Sequence, residues 1–250
     1  VDNIGAIQTT LVGGGTGNAF LPNWTITADT VGTGTTSGSF ATGANLNTTV
    51  TIAPGGSVAY TITGTVVSNA VGTISNSAVV DSIAIPSVTH TAVAGVISTT
   101  KTSNTTTYAP NGTIIYTLEI TNEGDGFAVD IPVEDHIGVI QTTLVGGGIG
   151  NAFLPGWTIS ASVAGTGTTS GSFTNGASLD TTVTIAPGGS VIYTITGTVV
   201  SNAVGSISNS TIVNGITIGP ITHTAVPGII DATKTAGTMT YAPNGTISYT

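Results

Sequence analysis

The 250-residue chain carries a net charge of −9 with only two basic residues, which argues against nucleic acid or an anionic membrane surface as partner. It has no cysteine, so disulfides and thiol catalysis are excluded. Charged residues make up 5% of the chain, against about 25% in ordinary soluble domains, so the surface falls to Thr, Ser, Asn and Gly. Aliphatic side chains are nevertheless plentiful enough to form a core. No apolar run approaches the ~18 residues of a membrane-spanning helix.

Taken in chain order, the elements occur almost twice. Ile7-Gln8-Thr9-Thr10-Leu11-Val12-Gly13-Gly14-Gly15 returns 133 residues later as Ile140-Gln141-Thr142-Thr143-Leu144-Val145-Gly146-Gly147-Gly148. Trp24 returns as Trp157, His90 as His223, Lys101 as Lys234 and Tyr116 as Tyr249, with 86 identities over 117 overlapping positions. A period this long is a whole domain rather than one solenoid coil.

Within one period, Gly95 to Thr102 reads as a first strand and Ala109-Pro110-Asn111-Gly112 as a turn. Thr113 to Thr121 follows as a second strand. Ile114, Tyr116, Leu118 and Ile120 share one of its faces, and Thr117, Glu119 and Thr121 the other, the alternation of a half-buried strand. The Gly-rich stretch 163–177, like its copy 30–44, reads as a long loop or irregular edge. Ala186-Pro187-Gly188-Gly189 is a further turn, opening a strand with Val191, Tyr193, Ile195 and Val199 on one face. No apolar helical stripe persists, and Thr, Val, Ile and Tyr favour pleated structure.

The expected class is all-β, with short strands and Gly, Pro and Asn turns building Greek-key β-sandwich repeats. One complete repeat is expected at 94–226. Residues 1–93 form a repeat lacking its first hairpin, and 227–250 the opening hairpin of a further one. Both ends then fall inside repeats, so the chain is expected to continue or to be completed by strand complementation from a neighbour.

The stretch from Lys101 to Asp135 carries Lys, then Tyr-x-x-Asn-Gly-x-x-x-Tyr-Thr-Leu-x-Ile-Thr-Asn-x-Gly, then an apolar–acidic strand ending in Asp. Downstream come Pro187-Gly188-Gly189-Ser190, Tyr193-Thr194-Ile195-Thr196-Gly197 and Gly205-x-Ile207-x-Asn209. This pattern resembles the domain of unknown function eleven, a repeat of prokaryotic cell-surface and extracellular proteins. The resemblance covers the whole repeat. It implies an immunoglobulin-like sandwich used in tandem arrays, and it implies no catalytic residues. The Gly-Gly-Gly and Thr-Gly-Thr-Thr-Ser-Gly inserts depart from it, leaving 145–177 outside its account.

Several constellations merit a chemical reading. Asn122-Glu123-Gly124-Asp125-Gly126 is rich in oxygen ligands and bent by glycine, so Glu123 and Asp125 are candidate Ca²⁺ ligands. The plain alternative is a solvated hairpin turn, and no other cofactor is indicated. Lys101, the one cation of the complete repeat, lies in a first strand. Asn209 shares strand parity with Ile207 and Val213, which points it inward. A buried Lys beside an Asn and a carboxylate can form an intramolecular isopeptide bond, with burial favouring the neutral amine. The weak link is the acid, because Glu119 falls on the polar face of its strand, opposite Tyr116 and Leu118. The alternative is a simple ion pair at a domain seam.

Trp24 and Trp157 each follow Leu-Pro and offer indole faces for stacking on sugars, or else belong to the core. His90 and His223 lack any recurring ligand or nucleophile partner and read as structural. Asn23, Asn47, Asn104, Asn111 and Asn244 begin glycosylation sequons, as does Asn209. No nucleophile–base–orienter set is present, so no enzyme is expected. The expected role is a structural repeat of an extracellular filament, surface fibre or adhesin stalk, whose partners are further copies of itself or continuing repeats. The alternative is a glycan- or cell-binding adhesin module using the Trp residues and Gly-rich loops.

Overall fold

The computed structural model describes all residues 1–250 and contains no α-helix. Its only helical turns are two short 3₁₀ segments, Ile4–Ala6 and Ile137–Val139, so no helix is long and apolar enough to cross a membrane. The chain is all-β, as its period-two alternation requires. The N-terminal region carries β1 (Gln8–Thr10), β2 (Thr16–Asn18), β3 (Thr25–Val31), β4 (Ser57–Thr63), β5 (Ile74–Val80) and β6 (Ile83–His90). There follow β7 (Ile97–Ser103), β8 (Thr107–Tyr108), β9 (Thr113–Asn122), β10 (Ala128–Asp135), β11 (Gln141–Thr143) and β12 (Ile149–Asn151). The last five are β13 (Thr158–Ala164), β14 (Leu179–Ile185), β15 (Ser190–Thr198), β16 (Ile207–Val213) and β17 (Ile216–Ala225).

Strands β7 to β17 build two main sheets, one ordered β13-β15-β9-β7 and the other β14-β10-β16-β17-β8. Every pairing is antiparallel except the short parallel contact of β17 with β8. In β9 and β15 the alternate residues Ile114, Tyr116, Leu118, Ile120, Val191, Tyr193 and Ile195 are almost fully buried. They share one apolar cluster with Val133, Val183, Ile185, Ile207 and Val213 of the other sheet. Two sheets closed over one core are consistent with a β-sandwich.

The Gly-rich stretch between β13 and β14 is tied down rather than loose. Thr169 bridges Thr184, the Tyr193 hydroxyl donates to the Ser170 carbonyl, and Phe173 meets the Tyr193 ring edge-on at 5.8 Å. Gly171 is required here: its φ is +65°, and a Cβ would lie 2.0 Å from Thr181 Oγ1. The insert therefore covers one end of the sheet.

The N-terminal region differs in a telling way. Its strands form only pairs, β1–β2, β3–β4 and β5–β6, around a core of seven buried residues instead of 21. The sequence counterpart of β15 is β4. One edge of β15 pairs with β3's counterpart β13 and the other with β9, whereas β4 pairs with β3 alone. Near the C-terminus, Thr235 and Thr250 exchange backbone hydrogen bonds at 2.8 and 3.0 Å, and Gly237 donates to Ser248 at 3.0 Å.

Candidate functional site

The chemistry-bearing residues of the chain converge inside the 97–225 region, between its sheets. Lys101 enters from the edge strand β7, while Asp135, Asn209 and Thr211 come from β10 and β16 of the opposite sheet. The alternation of Ile207, Asn209, Thr211 and Val213, all buried, with exposed Ser208 and Ser210 turns Asn209 and Thr211 inward. On β10 the same parity turns Val133 and Asp135 inward, both 0% exposed.

One carboxylate oxygen organises the cluster. Asp135 Oδ2 accepts from Lys101 Nζ at 2.7 Å, from Thr211 Oγ1 at 2.6 Å and from Asn209 Nδ2 at 3.3 Å. Lys101 Nζ also lies 2.6 Å from Thr211 Oγ1. The amine and the Asn209 amide are thus both held on a single acceptor. Beneath them, the Tyr116 ring lies 5.1 Å from Lys101 Nζ, and the His223 ring meets Tyr116 at 5.4 Å. The Lys101 and Asp135 side chains are 1% and 0% exposed.

Two opposing influences act on the amine. Burial lowers the Lys101 pKa from its ordinary value, and the neighbouring Asp135 charge partly restores it. Burial, with a smaller contribution from Asp135, raises the Tyr116 phenol. His223 is held low by burial. Asp135 Oδ1, the Tyr116 hydroxyl and both His223 ring nitrogens are buried without a hydrogen-bond partner. The site therefore combines a desolvated amine, an amide and an under-satisfied carboxylate.

Parity on β16 brings Asn209 beside Lys101, but the acid is Asp135 and not Glu119. Glu119 points to solvent on β9, because Leu118 and Ile120 take the inward positions. Sequence reasoning missed Asp135, Thr211 and Tyr116 as members of this cluster. The inward parity that Asp135 shares with Val133 was the available signal.

The remaining candidates do not converge. Glu123 and Asp125 are exposed, and no group of three or more His, Asp or Glu side chains comes together. The centre of their loop is occupied by the Asn122 side chain, which donates to the Gly126 and Ile185 carbonyls and accepts from Val96 and Gly124 N–H. Trp24 is 8% exposed, its N–H bonded to the Ala44 carbonyl, so its indole is core rather than a stacking platform. Trp157, half-buried, bonds Ala177 in the same way and packs over Gly138. Asn23, Asn47, Asn104, Asn111 and Asn244 are exposed, while Asn209 is enclosed and closed to glycosylation.

The N-terminal region contains the corresponding acid and amide. Asn76 Nδ2 donates to Asp2 Oδ2 at 2.9 Å, but no lysine reaches them. Compared with family models, characterised proteins and solved structures, the chain has no match in any of the three.

Proposed function

We propose that this chain is a structural repeat of an extracellular filament, surface fibre or adhesin stalk, built from tandem immunoglobulin-like sandwiches with a 133-residue period. The observation that carries this reading is the enclosure of the Lys101–Asp135–Asn209 cluster. Its side chains are buried, so chemistry there acts on the chain itself and serves mechanical stability. The near-identity of the two copies fits a molecule whose output is length.

The proposed chemistry is an isopeptide bond between Lys101 and Asn209. A proton passes from Lys101 Nζ to Asp135, leaving a neutral amine that desolvation favours. The amine attacks Asn209 Cγ, forming the Nζ–Cγ bond. Cγ–Nδ2 then breaks, with Asp135 relaying protons to the departing nitrogen, which leaves as ammonia. The carboxyl group ends protonated, the form that suits a buried site once its cation is gone. The bond ties β7 at the edge of one sheet to β16 at the centre of the other.

Two measurements test the reading. Electron microscopy of native material is expected to show filaments with a beaded repeat of one or two domain lengths; dispersed single particles count against the scaffold. Intact mass is expected to fall one ammonia below the sequence value. An unmodified mass removes the isopeptide and leaves a buried ion pair.

A further inference from the structure

Thr211 bonds both ions of the buried cluster, and the reaction described above gives it no part. It is 0% exposed, and its Oγ1 lies 2.6 Å from Lys101 Nζ and 2.6 Å from Asp135 Oδ2. An ammonium can only donate and a carboxylate can only accept, so both bonds have a fixed direction. Lys101 donates to the Thr211 oxygen, and the Thr211 hydroxyl donates to Asp135. With the direct Lys101–Asp135 bond of 2.7 Å they close a triangle. Two of the three ammonium hydrogens are thereby committed.

The sheet fixes where this hydroxyl stands relative to the target amide. Thr211 and Asn209 are alternate residues on the inward face of β16, roughly 6.6 Å apart along the strand. Both edges of β16 are paired: Val213 and Ile212 with Val133 and Glu134 of β10, Asn209 and Thr211 with Ile221 and Ile218 of β17. The branched Cβ of threonine further restricts the hydroxyl's rotamer. The lysine has no such fixity, since its ammonium rides on a flexible four-carbon stem. The first copy shows what the hydroxyl is not needed for. Ala78 stands there at the position of Thr211, yet Asn76 Nδ2 still donates to Asp2 Oδ2 at 2.9 Å. Acid and amide meet without a hydroxyl, so what Thr211 adds is its hold on the amine.

We infer that Thr211 positions the Lys101 amine for attack on Asn209, a role that rests on the isopeptide reading above. Loss of one proton to Asp135 leaves Nζ with two hydrogens and a lone pair. One hydrogen stays on Thr211 Oγ1 and the other on the Asp135 carboxyl group. The lone pair then takes the third position, toward Asn209 Cγ. Without the hydroxyl, the neutral amine turns about its Cε–Nζ bond and its lone pair spreads over orientations that miss the carbonyl carbon. Thr211 neither gains nor loses a proton in this step. It accepts from Nζ and donates to Asp135 before and after, and its contribution is orientation.

The test follows bond formation in time, read as loss of one ammonia from the intact mass. The 250-residue chain is made by cell-free translation and quenched in acidic denaturant at intervals. Thr211→Val keeps the side chain's shape and removes the hydroxyl; Thr211→Ser keeps the hydroxyl and removes the methyl group. Valine is expected to slow linkage by about 10- to 100-fold, and serine to link at close to the wild-type rate. Thr211→Ala, the residue that the first copy carries, is a second chain without the hydroxyl and is expected to match valine. Resistance of each chain to protease shows that it has folded. Linkage as fast with valine as with threonine overturns the inference and leaves the bond itself intact. Serine no faster than valine also overturns it, and assigns the side chain to packing. A wild-type chain that keeps its full sequence mass at every interval removes the isopeptide, and the role of Thr211 with it.

Discussion

Lys101 and Asp135 meet at 2.7 Å across the two sheets, with their side chains 1% and 0% exposed. An ion pair withdrawn so far from water recovers its desolvation cost only through further hydrogen bonds. Thr211 and Asn209 supply them on one oxygen, yet Oδ1 remains unpartnered. Such a pair is a poor device for stability alone. The proposed Lys101–Asn209 bond would discharge both ions.

The two ions should not be equivalent when removed. Both substitutions abolish the proposed link; beyond that shared loss, Asp135→Ala leaves an ammonium buried without a counter-charge, which is expected to cost a further ~3–5 kcal/mol in unfolding free energy. Lys101→Met leaves a carboxyl group that keeps its Thr211 and Asn209 contacts without an unpaired ammonium beside it, so its cost beyond the lost link should be smaller. Urea unfolding of the two variants gives the order. Equal losses would contradict the placement of the charge on Lys101 as the uncompensated member. Both variants should also retain the full, unlinked mass.

Asn209→Ala separates the proposed cross-link from the ion pair, because Lys101 and Asp135 both remain. By the chain-entropy argument for covalent links, closing a loop of about 100 residues contributes roughly 4.7 kcal/mol. The variant is expected to regain the mass of one ammonia and to lose stability on that scale. Loss of stability when wild type and variant both show the full mass of their own sequences would assign Asn209 a packing role only.

Much of this arrangement was legible in short-range pattern. The alternation of Ile114, Tyr116, Leu118 and Ile120 gives the inward face of β9, and Ile207, Asn209 and Val213 give that of β16. The cluster itself was not legible, because it is assembled across sheets. Lys101 and Asp135 are 34 residues apart and Lys101 and Thr211 are 110 apart, and no local period encodes which strands of two sheets face each other. Glu119 was the nearer acid in sequence and lies on the wrong face of its strand. The Gly-rich insert was readable as a loop, but its attachment depends on Tyr193 reaching Ser170 from another strand. Composition likewise cannot distinguish a core Trp24 from a stacking one; the bond to Ala44 does.

Acid should loosen the fold through His223. Its folded pKa lies below the ordinary value of about 6.5 because burial disfavours the imidazolium. The unfolded chain then binds more protons than the folded one below that value, so stability falls as pH drops from about 6.5 toward the folded pKa. Thermal unfolding between pH 7.5 and pH 5 should show this slope, and His223→Phe should flatten it. A slope that survives His223→Phe unchanged would assign it to other groups.

The Gly-rich cover offers a local test that leaves the buried cluster untouched. Tyr193 is fully buried, and its hydroxyl donates to the Ser170 carbonyl while its ring edge meets Phe173. Burial raises the phenol, so this donor keeps its proton through the mildly alkaline range. Tyr193→Phe removes the hydroxyl and keeps the ring, and should cost about 1 kcal/mol, the net worth of a typical hydrogen bond. The loss should be concentrated in residues 165–178, read as faster amide exchange there than in β9 or β16. Gly171→Val should do more damage, since its Cβ would collide with Thr181 and the φ of +65° is hostile to a branched residue. Uniform exchange changes over both sheets would instead mean that Tyr193 acts through the shared core, and that the insert is not separately anchored.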